Sequence, residues 1–128
     1  MFIDTPPILI AEDEPFVALD LSLAVEDAGG TPVGPVGSVR EALRLLATSE
    51  VAAAILDINL SDGDVFPVLQ VLIDRGVPVI VQTGVGVPPE FRSRYPDLMV
   101  LAKPVKSEVL LAKLESLLSD GKSGPGGG

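Results

Sequence analysis

The chain has no cysteine and no histidine. The first absence excludes disulfides and thiolate metal sites; the second excludes imidazole catalysis and imidazole ligands. Tryptophan is also missing, and one tyrosine and four phenylalanines bring aromatics to only 4%. Apolar residues still make up 47% of the chain, so the core must be packed from Val, Leu, Ile and Ala. Basic residues are scarce: nine Lys and Arg against 18 Asp and Glu leave a net charge of −9. That balance argues against nucleic acid, whose phosphates demand clustered Lys and Arg, and against an anionic membrane surface. No apolar run approaches the roughly 20 residues that span a bilayer. The start, Met1 to Pro7, lacks the basic end and apolar core of a signal peptide. At 128 residues the chain suits one domain, expected in the cytoplasm.

What is present is an alternation of apolar runs and helical patterns. Pro7 to Ala11 reads as a strand buried on both faces, because it lacks polar alternation. Pro15 to Ala28 reads as a helix stopped by Gly29-Gly30. Thr31 to Val36 is a proline-interrupted edge strand. Ser38 and Glu41 form a capping box for a helix over Val39 to Thr48. Val51 to Asp57 is the central strand, Asn59 to Asp64 a turn, and Val65 to Arg75 a helix. Val77 to Gln82 is a strand, followed by a Gly- and Pro-rich stretch to Tyr95 with at most a short helix. Leu98 to Ala102 and Ser107 to Leu118 supply the last strand and helix, and 120–128 reads as a flexible glycine-rich tail. Such repeated units predict an α/β doubly wound parallel sheet with helices on both faces.

Four of these strands end in polar residues of complementary kinds: Glu12-Asp13, Asp57, Thr83 and Lys103. Strand carboxyl ends share one edge of an open parallel sheet, where ligands bind. Carboxylates brought together there repel unless a cation neutralises them, and magnesium prefers such oxygen ligands. Asp57 is then a candidate nucleophile toward phosphorus, giving an acyl phosphate. Lys103 would neutralise charge developing on the phosphoryl oxygens, and Thr83 would hydrogen-bond one of them. A cis peptide at Pro104 would aim the lysine inward. Each residue alone has an ordinary alternative, as a helix cap, a solvated turn acid, a β-branched strand end or a surface charge. Their joint order is what points to chemistry.

These segments resemble the receiver domain of bacterial two-component response regulators. The resemblance runs from about Pro7 to Leu118 and rests on Ile-Leu-Ile-Ala-Glu-Asp-Glu-Pro (8–15), Ala-Ile-Leu-Asp-Ile-Asn-Leu (54–60), Val-Gln-Thr-Gly (81–84) and Leu-Ala-Lys-Pro-Val (101–105). It implies a receiver domain over 1–119 with a flavodoxin-like five-stranded sheet in strand order 2-1-3-4-5. It implies phosphorylation of Asp57 by a sensor histidine kinase, and Mg2+ held by Asp13 and Asp57, with Glu12 through water and the Asn59 backbone carbonyl. Thr83 and Lys103 would bind the phosphoryl group. Such a protein is a phosphoacceptor rather than an enzyme acting on other substrates, though it phosphorylates and dephosphorylates itself with the metal.

Two departures stand out. The loop Asn59-Leu60-Ser61-Asp62-Gly63-Asp64 lacks the usual Met-Pro, and the customary aromatic ahead of the lysine is Val100. With Pro89-Glu90-Phe91-Arg92, these are similar to the single-domain FATGUY-type receivers, which pair with HWE-type kinases. With no output module in the sequence, signalling or phosphate relay by protein docking is expected, from a monomer or weak homodimer; a fragment of a larger regulator is the alternative. In the first helix Val17, Leu21, Ala24 and Ala28 are expected to face the sheet. Phe16, Leu19 and Leu23 fall on the opposite side, a candidate docking stripe for a kinase or phosphotransfer helix.

Three other classes fit less well. A dehalogenase-type phosphatase wants a second aspartate where Asn59 stands. A flavin module needs a phosphate loop where Glu12-Asp13-Glu14 would repel phosphate. A receiver-like docking protein that works without phosphate is favoured by Val100 and opposed by the intact Asp57, Thr83 and Lys103.

Overall fold

The computed structural model describes residues 1–123, with side chains described for residues 1–119. Five strands form one parallel sheet: β1 (Pro7–Ala11), β2 (Thr31–Val36), β3 (Ala53–Asp57), β6 (Val79–Thr83) and β7 (Met99–Ala102). Their spatial order is β2-β1-β3-β6-β7, the 2-1-3-4-5 arrangement of the flavodoxin-like fold once the main-sheet strands are counted alone. Between them run α1 (Pro15–Asp27), α2 (Val39–Thr48), α3 (Phe66–Asp74), α4 (Pro89–Arg94) and α5 (Ser107–Ser123). Strand alternation divides the core. Ile8, Ile10, Ile55 and Ile80 pack with Leu110 and Leu114 under α1 and α5, while Leu9, Leu56 and Val81 pack with Leu46 and Leu69 under α2 and α3.

The expected elements are present, with some differences of detail. Residues 51 and 52 lead into β3 rather than belonging to it. On α1 the buried residues are Ala18, Leu21 and Val25; Val17 and Ala24, expected to face the sheet, are only partly buried at its flanks. Both stripes fit helical spacing, and packing against α5 selects between them. The expected turn at 59–64 is an antiparallel hairpin of β4 (Asn59–Leu60) and β5 (Gly63–Asp64). Its tip docks on the β2–α2 junction: Ser61 N and Oγ both donate to the Gly37 carbonyl, at 3.1 and 2.9 Å. Asp62 accepts from Val39 N at 2.6 Å and Arg40 N at 3.1 Å. α2 thus has two caps, because Ser38 Oγ also accepts from Glu41 N and donates to Glu41 Oε1.

α5 continues to Ser123, beyond the Leu118 end expected and into the segment read as a tail; residues 124–128 lie outside the described residues. Among the described residues no helix is long and apolar enough to cross a membrane.

The Gly/Pro-rich stretch yields the six-residue α4. Its Phe91 and Tyr95 meet Phe66 of α3, with ring centroids 4.8 and 5.5 Å apart. The Arg94 guanidinium sits 4.8 Å over the Phe66 ring, and the Tyr95 hydroxyl donates to Gln70 Oε1. Val100 packs into this same side of the core.

Candidate functional site

The carboxyl ends of β1, β3, β6 and β7 bring the expected residues to one edge. Register pairs Ala11 with Leu56 and Asp57 with Gln82, so the residue after β1 and the last residue of β3 lie side by side. Glu12, Asp13 and Asp57 each offer a carboxylate oxygen within 4.8 Å of the others. Glu12 is only 2% exposed and Asp57 is 8% exposed, while Asp13 is open to solvent. Gly37 packs closely here: a Cβ on it would lie 3.4 Å from the Asp13 Cα.

Lys103, directly after β7, bridges two of the acids. Its Nζ donates to Asp57 Oδ2 at 2.8 Å and to Glu12 Oε1 at 2.9 Å. The Lys103–Pro104 peptide is cis, as the sequence suggested. The ammonium is partly buried, which opposes its charge, yet hydrogen bonds and the charges of Asp57 and Glu12 raise its pKa overall. Burial raises the Glu12 pKa, and the hydrogen bonds from Lys103 and from Glu14 N at 3.1 Å only partly counter it.

The remaining residues are placed unevenly. Asn59 N donates to Asp57 Oδ1 at 3.3 Å, so its main chain lies beside the acid cluster. Thr83 ends β6, but its hydroxyl is engaged with its own loop: it donates to the Gly86 carbonyl at 2.9 Å and accepts from Val85 N and Gly86 N. Gln82 is a site residue that sequence reasoning passed over. Its buried side chain directs Nε2 to Glu12 Oε1 at 3.4 Å. The available signal was an amide standing at the end of an otherwise apolar buried strand.

Phe16, Leu19 and Leu23 are 87%, 55% and 52% exposed, on the face of α1 turned from the sheet. An open depression of ≈ 490 Å³ connects Phe16, Glu14 and Asp20 with Gln82, Lys103 and Pro104. The larger depression, ≈ 710 Å³, lies near Ser49 and Arg75 at the other end of the strands and carries none of this cluster.

The comparisons agree with this geometry. The receiver protein of Sinorhizobium medicae superposes with a TM-score of 0.79 at 28% identity, covering 91% of this chain and 96% of that one. SdrG of Sphingomonas melonis is 36% identical, with a TM-score of 0.75 over 91% of this chain and 99% of that one. The chain belongs to the response regulator receiver family. No family model matches this receiver. The phyllosphere-induced regulator PhyR of Methylorubrum extorquens is 33% identical over 109 residues, 83% of the receiver; the receiver spans 37% of the length of PhyR.

Three clustered carboxylates form the hard, all-oxygen donor set that Mg2+ takes. An ammonium already bridging Glu12 and Asp57 marks the same cluster as one that takes positive charge. The residues therefore fit the ion.

Proposed function

We propose that the receiver accepts a phosphoryl group on Asp57 from a phosphohistidine of a sensor histidine kinase, of the HWE type, or of a phosphotransfer protein. The observation that carries this reading is Lys103 Nζ at 2.8 Å from Asp57 Oδ2, within an acid cluster at the strand ends. An Asp57 oxygen attacks phosphorus, forming an O–P bond as the P–N bond breaks; the leaving imidazole nitrogen takes a proton from solvent. Asn59 N and Lys103 hold the acceptor carboxylate in one orientation. Lys103 then transfers its hydrogen bond to a phosphoryl oxygen and neutralises the charge there. Asp13, Asp57, the Asn59 carbonyl and, through water, Glu12 would hold Mg2+, which when bound would supply further neutralisation of phosphoryl charge. Thr83 must give up its bonds to the 85–86 loop before its hydroxyl can reach a phosphoryl oxygen, which ties modification to the segment leading into α4.

The donor docks on Phe16, Leu19 and Leu23, exposed on the outer face of α1, where Phe16 also lines the depression leading to Lys103. The receiver turns over no external substrate; it dephosphorylates itself, and it works in the cytoplasm as a monomer or weak homodimer. Signalling as a single-domain protein is the leading form of this reading. That the receiver spans 37% of PhyR favours a second form, in which it is one part of a longer regulator. Transfer from a labelled phosphohistidine donor tests the proposal: label appears on wild type with Mg2+, and is absent from Asp57→Asn. Label persisting on Asp57→Asn would overturn the assignment of the acceptor.

A further inference from the structure

Glu12 poses a problem that its ion pair does not solve. Its Oε1 accepts from Lys103 Nζ at 2.9 Å, and Oε2 accepts from Glu14 N at 3.1 Å. Lys103 is shared with Asp57, and the phosphoryl-transfer reading sends it to the phosphoryl group. A second positive charge entering the cluster also repels the ammonium. Either event leaves a buried carboxylate oxygen without its strongest donor, and a mobile carboxylate is a poor anchor for a metal-bound water. Gln82 is the other side chain bonded to that oxygen, with Nε2 3.4 Å from Glu12 Oε1. It is 2% exposed and stands on β6 in register with Asp57, and its carbonyl accepts from Ile58 N at 3.1 Å. Its backbone is therefore fixed beside the acceptor strand. An amide is a neutral donor: it orients Glu12 without cancelling the negative charge that a cation needs.

We propose that Gln82 is a positioning residue of this site, whose buried amide holds the Glu12 carboxylate so that Lys103 can leave it. The inference rests on the phosphoryl-transfer reading and extends it to how the metal end stays ordered during the exchange. Mg2+ titration by calorimetry tests it on wild type, Gln82→Leu, Glu12→Gln and the double variant, beside acetyl phosphate labelling of wild type. If Gln82→Leu fails to fold, Gln82→Met carries the same comparison, being close in size and lacking the donor. The expected result is about tenfold weaker Mg2+ binding in the Gln82 variant, with no further loss when it is added to Glu12→Gln. A Gln82 variant that binds Mg2+ as wild type does, or losses that add in full, would overturn the inference and leave the phosphoryl-transfer reading standing. Wild type that takes neither Mg2+ nor label would overturn both.

Discussion

Burial raises the Glu12 carboxyl above its usual range although Lys103 and Glu14 N hold it from two sides. A carboxyl raised in the folded state favours folding when protonated, so its contribution worsens as pH climbs from the ordinary carboxylate range through the folded value. Without divalent cations, the Tm of wild type measured against Glu12→Gln should fall as pH rises from the ordinary carboxylate range; a constant difference would contradict the upward shift. Lys103 shifts stability in the same direction, but in a higher pH range. Its raised pKa makes its contribution complete at neutral pH and lost only as pH rises through the alkaline range. Lys103→Met leaves Glu12 and Asp57 facing each other without their shared cation. Phosphorylation by acetyl phosphate should slow by about a hundredfold, the cost of losing one donor to a charged transition state. The reactive residues were legible because each interrupts an apolar run with an acid, a hydroxyl or an amine. Gln82 was not, because an amide at a strand end has no chemistry until its neighbour is known, and that neighbour, Glu12, comes from a different strand.

The same division holds for whole elements. Buried parallel strands are nearly continuous apolar runs, so β1, β3 and β6 could be read directly from sequence. The β4–β5 hairpin has two-residue strands with no periodicity to read, and its purpose lies in a tertiary contact. Asp62 at its tip is held below the usual carboxylate range by hydrogen bonds from Val39 N and Arg40 N. Its contribution is present at neutral pH and lost as pH falls through that depressed value. Asp62→Ala should therefore lower Tm by a few degrees at pH 7 and cost progressively less in strong acid; an undiminished loss at pH 2 would contradict the cap. The aromatic contact between α3 and α4 was equally hidden, since Phe66, Phe91 and Tyr95 are brought together only by the fold. Phe91 is 3% exposed, and Phe91→Ala should cost about 3 kcal/mol in urea unfolding. On α1, Leu23→Glu replaces a half-exposed side chain on the outer face. It should slow transfer from a phosphohistidine donor while acetyl phosphate still labels Asp57 at the wild-type rate. Equal slowing with both donors would mean that the outer face serves the fold rather than docking.

Across the whole molecule, the sheet order places β3 at the centre with β1 beside it and brings the acids that end both strands to one edge. A protein of net charge −9 with such a cluster gains stability from any cation that binds only the folded state. At one hundred times its dissociation constant, Mg2+ should add about 2.7 kcal/mol. The rise in Tm should be absent from Asp13→Asn, and a rise that survives that change would place the ion elsewhere. The most direct test of the central claim is intact mass after incubation with acetyl phosphate, with and without Mg2+, for wild type and Asp57→Asn. The predicted result is a Mg2+-dependent gain of about 80 Da, one phosphoryl group, in wild type alone. No gain in wild type, with a phosphohistidine donor failing as well, would contradict phosphorylation at Asp57 and leave a receiver that docks without phosphate.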